Sequence, residues 1–156
     1  MNTKATIIII LAIIFAITFF VLSGKKATHA PTPITQPSAT INGHTFSVEI
    51  AKDDKTRERG LSDKPSLPQN WGMLFLFDKP STYSFWMKEM HFPIDIIYIN
   101  NDIIVHVFKN VPPPTSSKEE LPVYTPDAPA DKVLEINAGL SEKYGIKKGD
   151  KVKFNL

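Results

Sequence analysis

Hydrophobic and polar residues alternate in short runs through most of the chain after residue 40, and turn signals separate the runs. Residues 45–50 alternate with a period of two, which is typical of a half-buried strand. Residues 94–99 are almost continuously apolar, which predicts a strand buried on both faces. The same reasoning predicts further strands at 73–77, 83–87, 103–108, 132–136 and 151–154. Short strands therefore dominate the predicted domain.

Two short helices are predicted among these strands. Asp53 or Asp54 is a suitable N-cap for a helix that runs through Arg59 and ends at Gly60. A second short helix is predicted over residues 138–144. Strands that outnumber helices in this way indicate an α+β fold, predominantly β. We expect the short strands to form a curled sheet or small barrel that carries two short helices.

The first forty residues differ from the rest of the chain in composition. Residues 5–22 form an uncharged apolar run that would span roughly 27 Å as a helix, enough for a thin bilayer core. Residues 1–26 are therefore predicted to be an uncleaved membrane anchor or, as the alternative, a signal sequence cleaved after 28–30. Residues 27–40 are rich in Pro and Thr and predict a disordered tether. The globular domain is predicted over residues 41–156, on the extracytoplasmic side of the membrane.

The charge of the chain is unevenly distributed. It carries 18 Lys and Arg residues against 16 Asp and Glu, a formal net charge of +2. Lys4, Lys25 and Lys26 precede the predicted domain while every acidic residue lies within it, so the domain has 15 basic residues and a net charge of −1. A nucleic-acid-binding domain normally presents a basic face. We expect no nucleic-acid partner; the expected partners are the membrane, through the N-terminal segment, and an unknown small molecule or envelope protein.

Residues 85–99 combine aromatic, charged and apolar side chains in the way that a binding pocket requires. An aromatic-rich strand leads into Lys88, and after a proline an acidic residue opens the apolar strand. Because alternate residues of a strand share a face, Trp86 and Lys88 are expected to lie together. This stretch predicts the floor and rim of a pocket. The candidate ligand-binding residues are Met73, Phe75, Trp86, Lys88, Asp95 and Glu135.

Each candidate residue also has a purely structural interpretation. Lys88 is a surface lysine whose charge pairs with Asp95 or Glu135, a ligand-binding side chain, or a catalytic amine activated by burial. Asp95 either accepts backbone N–H groups or faces Lys88 as a site carboxylate. Glu135 is either the second member of a carboxylate pair or the ion-pair partner of Lys88 or Arg59. The apolar and aromatic candidates are equally well explained as core residues.

Motifs for metal, phosphate or nucleophilic chemistry are missing from the sequence. The four histidines lack the close spacing of a metal-ligand set, and the seven glycines form no phosphate-binding cluster. We expect no bound metal and no cofactor. Two specific functions are compatible with the remaining features, and a structural scaffold without a small-molecule site is a third, less specific alternative. The first is a non-enzymatic ligand-binding or accessory module of the cell envelope, and the second is an enzyme that acts on a small polar envelope substrate through Lys88 with Asp95 or Glu135.

Four blocks of residues, in this order along the chain, resemble the signature of the DUF192 family. They are Arg59-Gly60-Leu61, then Gly72-Met73-Leu74-Phe75-Leu76-Phe77, then Phe85-Trp86-Met87-Lys88 with Pro93-Ile94-Asp95, and finally Val133-Leu134-Glu135 with Ala138-Gly139, Gly145-Ile146 and Gly149-Asp150. The resemblance implies a DUF192-like domain over about residues 41–155 that contains a site, but no particular reaction. Ser62 stands where the family often has Met, and Glu89-Met90 where it often has Asn-Thr.

Overall fold

The computed structural model describes residues 36–116 and 121–156. The predicted anchor, residues 1–26, and residues 27–35 of the predicted tether lie outside the described residues. The elements follow in the order β1 (Ser38–Ile41), β2 (His44–Ala51), α1 (Asp54–Arg59), β3 (Trp71–Ser81), β4 (Phe85–Trp86), β5 (Ile94–Asn100), β6 (Ile103–Val111), β7 (Val123–Tyr124), β8 (Ala130–Asn137), α2 (Leu140–Lys143) and β9 (Val152–Asn155). Within the described ranges no helix has both the length and the apolar character needed to cross a membrane.

Seven of the strands form one curled sheet in the order β6-β5-β8-β3-β2-β1-β9. The pair β2–β3 is parallel and the other neighbouring pairs are antiparallel. The sheet curls until its two edges meet. At this contact Ile103 forms an antiparallel β-bridge with Lys151, and the Ile104 N–H donates to the Asp150 carbonyl at 2.9 Å. β4 and β7 form a separate two-stranded ribbon. The predicted fold, predominantly β with a curled sheet and two short helices, is confirmed for the described residues.

The sheet begins before residue 41, where the domain was predicted to start. β1 pairs Ser38 with Ser47 of β2 on one side and with Asn155 of β9 on the other. Ala39 is completely buried. Residues 38–40 therefore belong to the sheet and not to the predicted tether. Their composition resembles a linker, but strands on both sides supply the hydrogen bonds that an extended backbone needs.

Helix α1 forms where its capping residues predicted it. The Asp53 carboxylate accepts a hydrogen bond from the Thr56 N–H at 2.9 Å, and the Thr56 hydroxyl accepts one from the Asp53 N–H at 3.2 Å. This reciprocal capping box satisfies two backbone donors at the helix start, and Gly60 ends the helix at φ +52°. The Arg57 guanidinium donates to the Leu76 carbonyl at 2.8 Å, which holds α1 against β3.

Strand β5 is buried on both faces, as the apolar run at 94–99 predicted. Residues 72–75 of β3 and 133–136 of β8 are buried in the same way. The inner core lies within the curl and contains residues from all seven strands of the sheet, among them Leu74, Ile97 and Leu134. The outer core lies on the opposite face, where Phe75 and Tyr98 are covered by Leu61, Met87 and Met90. The sheet thus carries one apolar layer on each face, and the candidate site lies over the outer layer.

β3 and β8 approach each other closely at Gly72. A Cβ atom added there would lie 2.7 Å from the backbone carbonyl oxygen of Glu135, a distance that real Cβ atoms essentially never show. Only glycine fits at position 72, so the close approach of the two strands explains why the Gly-Met-Leu-Phe block begins with glycine. The next residue, Met73, then lies directly across from Glu135.

Candidate functional site

A pocket of about 440 Å³ opens over the outer core between α1, β3 and the segment around β4. Helix α1 contributes most of its charged rim, and β3 and β8 contribute its floor. Five aromatic side chains line it: Phe75, Phe77, Tyr83, Phe85 and Trp86. The charged side chains of the lining are Asp54, Arg57, Glu58, Arg59, Lys88 and Glu135. A mostly apolar cavity with a few charged groups is the usual form of a small-molecule site.

The aromatic rings of the pocket hold one another in place. Phe85 meets Phe75 edge to face, with ring centroids 4.9 Å apart, and meets Tyr98 in the same way at 5.8 Å. Phe77 and Tyr83 are stacked at 3.6 Å. The Tyr98 hydroxyl donates to the Tyr124 carbonyl at 2.8 Å, which ties the β4–β7 ribbon to the sheet. These contacts make the wall a packed surface with a defined shape.

Glu135 lies at the floor of the pocket with only 5% of its surface exposed. Among the described residues, no group forms a hydrogen bond or ion pair with its carboxyl, although buried polar groups are normally paired. Burial raises the pKa of Glu135 to about 8, since an apolar site disfavours the charged form. The carboxyl group is therefore mostly protonated at neutral pH, and it is the unpaired acid of this pocket.

Asp95 lies on the opposite face of the sheet and does not line the pocket. It pairs across the strands with Ile136, a residue of the inner core. Its carboxylate accepts backbone N–H bonds from Asn110 at 2.8 Å, Gly139 at 3.2 Å and Ser141 at 2.8 Å. Asp95 thus joins β5 to the end of β6 and to the start of α2, as its structural interpretation predicted. It is not brought to Lys88 or to Glu135.

Lys88 and Trp86 stand at the mouth of the pocket. β4 ends at Trp86, and Lys88 lies in the turn that follows. The two side chains still lie together, as the sequence predicted, because the Lys88 Nζ is 5.8 Å from the centroid of the Trp86 ring. Trp86 is 55% exposed and Lys88 is also exposed. Lys88 forms no ion pair with any residue of the described ranges. Its open position lacks the burial on which use as a catalytic amine depends.

Four of the six candidate residues meet at the pocket, and two do not. Met73 is 2% exposed and packs in the outer core across from Glu135, beneath the pocket lining. Asp95 is turned to the other face. The candidates that line the pocket are Phe75, Trp86, Lys88 and Glu135. The rim supplied by α1 was missed as a site, although the Arg59-Gly60-Leu61 block was the signal that pointed to it.

The described part of the chain, residues 36–116 and 121–156, contains no group of three His, Cys, Asp or Glu side chains arranged to hold a metal ion. Glu135 stands among aromatic and thioether groups, which are poor partners for a hard cation. The pocket chemistry therefore rests on one buried carboxyl group, the aromatic wall and the charged rim.

The fold and the site define a small α+β domain with a curled sheet and an aromatic pocket over its outer face. The model of the DUF192 family, described as an uncharacterized ACR, matches residues 37–154. The chain belongs to the DUF192 family, because this match covers well over half of its length. None of the curated proteins compared with the chain matches it.

Two solved structures are similar to this chain over most of their length. One is a protein of unknown function from Novosphingobium aromaticivorans DSM 12444, with 31% identity and a TM-score of 0.67 over 78% of this chain and 89% of that one. The other, from Sinorhizobium meliloti 1021, is provisionally described as a transcription regulator. It has 29% identity and a TM-score of 0.67 over 76% of this chain and 91% of that one.

Proposed function

We propose that this chain is a non-enzymatic binding module of the cell envelope that holds a small molecule in the pocket over its outer core. The observation that carries the proposal is the floor of the pocket, where the buried Glu135 carboxyl has no partner among the described residues. Because Glu135 lines the pocket, a ligand group that hydrogen-bonds to or pairs with its carboxyl can make a contact that the described residues do not provide.

The form of the pocket supports a ligand with an apolar body. Its volume of about 440 Å³ lies within the usual range of small-molecule sites. Aromatic rings provide large contact areas with few rotatable bonds, so little side-chain entropy is lost when a ligand packs against them. Arg59 and Lys88 stand at the opening and leave the outer end of a ligand in a polar environment.

The proposal also includes the location of the domain in the cell. The apolar run at 5–22 supports a membrane anchor, and the Pro- and Thr-rich residues that follow support a tether. The domain would then face the extracytoplasmic side of the membrane. There it would meet small molecules of the envelope or an envelope protein, and its net charge of −1 does not favour nucleic acid.

Thermal unfolding of the full chain in a non-ionic detergent tests this proposal. The screen covers envelope sugars, peptidoglycan fragments, nucleotides, lipids and small organic acids and amines. A ligand at 100 times its Kd adds about 2.7 kcal/mol, which raises Tm by several degrees.

Two exposed residues that face each other across the β4–β7 ribbon provide matched variants. Trp86→Ala removes pocket lining from a side chain that is 55% exposed, so the shift is expected to shrink. Val123→Ala is the control, because Val123 pairs with Trp86 across the strands, is 60% exposed and lies outside the lining. A screen without any shift, or equal shifts in both variants, contradicts binding in this pocket.

An enzymatic function is the second candidate, and one observation favours it. A carboxyl group whose pKa is raised to about 8 in a pocket suits a general acid. Lys88 lines the same pocket and Asp95 does not, so the enzyme would use Glu135 as the acid and the exposed Lys88 charge to hold a polar substrate. Mass spectrometry of each compound that binds distinguishes the two functions. A product that forms with the wild type and not with Glu135→Gln favours the enzyme, and an unchanged compound favours the binding module.

A further inference from the structure

The surroundings of Glu135 limit what its ligand can be. Met73 and Ile96 lie directly across from Glu135 on the two neighbouring strands, and Phe75 and Tyr98 lie diagonally from it on the same face. These neighbours are apolar or aromatic. The Tyr98 hydroxyl is already used, because it donates to the Tyr124 carbonyl. The neighbouring strands therefore supply no hydrogen-bond or ion-pair partner for the Glu135 carboxyl.

Aromatic rings and a carboxylate attract the same kind of group. The faces of Trp, Tyr and Phe rings carry negative electrostatic potential and attract cations within about 6 Å of the ring centroid. A carboxylate adds a full negative charge at the floor. Glu135 shares the pocket lining with five aromatic residues. Two of these rings already attract cations of the chain, because Arg57 lies 5.3 Å from the Phe77 centroid and Lys88 lies 5.8 Å from the Trp86 centroid.

We propose that the pocket binds an organic cation, an alkylammonium or quaternary ammonium group that lies against the Glu135 carboxylate inside the aromatic wall. This inference rests on the proposed binding function and names the chemical class of the ligand. A quaternary ammonium group has no N–H donors and is only weakly hydrated, so it enters an aromatic pocket at a modest desolvation cost. A metal ion would lose its water without gaining the oxygen ligands that it requires.

The other charged groups around the pocket do not exclude a cation from its floor. Arg57 is held by the Asp54 carboxylate at 2.8 Å and by the Leu76 carbonyl. Arg59 lies 3.9 Å from the Asp63 carboxylate. The remaining titratable groups that face the site are Glu58 and Lys88 at the rim and Tyr98 beside Glu135. Since the rim carries both signs of charge, it accommodates a ligand whose outer end is neutral or anionic.

Ionisation of Glu135 gives this inference a measurable signature. Burial holds the pKa of the free carboxyl at about 8, and a cation that binds only the carboxylate form must displace the proton. As pH increases towards 8, the affinity for the cation therefore rises about tenfold per pH unit. Above pH 8 the affinity levels off. A neutral ligand that accepts a hydrogen bond from the protonated acid shows the opposite dependence.

The experiment compares choline with 3,3-dimethylbutan-1-ol, its neutral carbon analogue, by isothermal titration calorimetry on the full chain between pH 6 and pH 9.5. Choline has no titrating group in this range, so a change of affinity reports the protein. We expect choline affinity to rise about a hundredfold from pH 6 to the plateau. The neutral analogue is expected to bind more weakly at high pH and without this rise.

Two variants and one control identify the side chains responsible for choline binding and for its pH dependence. Glu135→Gln is expected to lose most of the choline affinity and its pH dependence, and Trp86→Ala is expected to weaken choline more than the neutral analogue. Glu142→Gln changes an exposed glutamate outside the pocket lining and is expected to bind as the wild type does. Nuclear magnetic resonance of the Glu135 carboxyl carbon provides a readout that does not depend on the variants, because bound choline should lower its pKa.

Three outcomes overturn the inference. Equal, pH-independent binding of choline and the neutral analogue shows a purely apolar pocket, and stronger binding of the neutral analogue below pH 8 shows that Glu135 is a hydrogen-bond donor. In both cases the proposed binding function stands. Absence of choline binding also overturns the inference, and the binding function itself fails only if the wider thermal screen shows no ligand.

Discussion

Asp95 and Glu135 are two buried acids on neighbouring strands whose surroundings differ completely. Three backbone N–H groups donate to Asp95, whereas no described group donates to Glu135. In the β5–β8 pairing, Asp95 faces Ile136 and the next residue, Ile96, faces Glu135. This offset of one residue puts the two carboxyl groups on opposite faces of the sheet. Backbone donors therefore give Asp95 a structural role, whereas Glu135 has no such donor in the described part of the chain.

The largest effect at pH 7 is expected from Asp95→Ala, which leaves three backbone N–H groups, one buried and two part-buried, without their acceptor. The free energy of unfolding should fall by about 4 kcal/mol, because each unpaired donor retains its desolvation cost. Urea unfolding measures the change. Glu142→Ala, at an exposed position of α2, serves as the control and should stay within about 0.5 kcal/mol of the wild type. A loss below about 1 kcal/mol for Asp95→Ala would contradict the claim that Asp95 stabilises the fold through its backbone hydrogen bonds.

Glu135→Gln should instead change how stability depends on pH. The pKa of Glu135 is raised from 4.5 to about 8 in the folded protein, so between these values the folded state holds a proton that the unfolded state has lost. The stability of the wild type therefore falls as pH rises through this window, by up to about 1.4 kcal/mol per pH unit. Glu135→Gln should lack this contribution.

The measurement for Glu135 is urea unfolding of both proteins at pH 5, 7 and 9. The difference between their free energies of unfolding isolates Glu135, because the other titrating groups are common to both. Glu135→Gln should gain stability relative to the wild type as pH rises. Parallel curves for the two proteins would show that Glu135 titrates normally and would contradict the assignment of an unpaired buried acid.

Gly72→Ala tests the close approach of β3 to the strand that carries Glu135. The added Cβ would meet the Glu135 carbonyl oxygen at 2.7 Å, so the strands must separate and the stability should fall by about 2 kcal/mol. Gly43→Ala is the matched control: it has φ +81° and no neighbour within 4 Å, so only backbone strain of about 1 kcal/mol is expected. Chemical denaturation compares the two. Equal losses would mean that the contact at Gly72 relaxes without cost.

The smallest effect is expected from Tyr98→Phe, on the same face as Glu135. The variant removes the hydrogen bond from the Tyr98 hydroxyl to the Tyr124 carbonyl, at 2.8 Å, and keeps the ring. The free energy of unfolding should fall by about 1 kcal/mol, and amide exchange at β7 should accelerate because the ribbon loses its tie to the sheet. Unchanged exchange at β7 would show that the ring contacts alone hold the ribbon.

Most of the strands and both helices were readable from the sequence because local signals determine them, whereas β7 was not among the predicted strands. The apolar run at 94–99 correctly predicted burial on both faces, and Asp53 and Gly60 marked the ends of α1. The start of β1 was missed, because residues 38–40 have a linker-like composition and gain their strand from neighbours far along the chain. Pairing with β9 is a long-range contact that no local pattern records.

The candidate site was predicted only in part. Phe75, Trp86, Lys88 and Glu135 meet at one pocket, and the stretch around Trp86 correctly indicated its wall. The structural and functional interpretations of Asp95 and Glu135 could not be separated in the sequence, since both are acids in apolar strands. The register of β5 against β8 separates them, because it decides which face each side chain occupies.

By itself, the sequence determined the class of fold and the resemblance to the DUF192 family, and it named four of the residues that line the pocket. Periodicity and capping act over a few residues, so they can be read locally. Only the tertiary structure decided that the sheet curls until β6 meets β9, that Asp95 is held by backbone N–H groups, and that no described group pairs with Glu135 at the floor of the pocket. These outcomes depend on strand register and on contacts between residues distant in the chain.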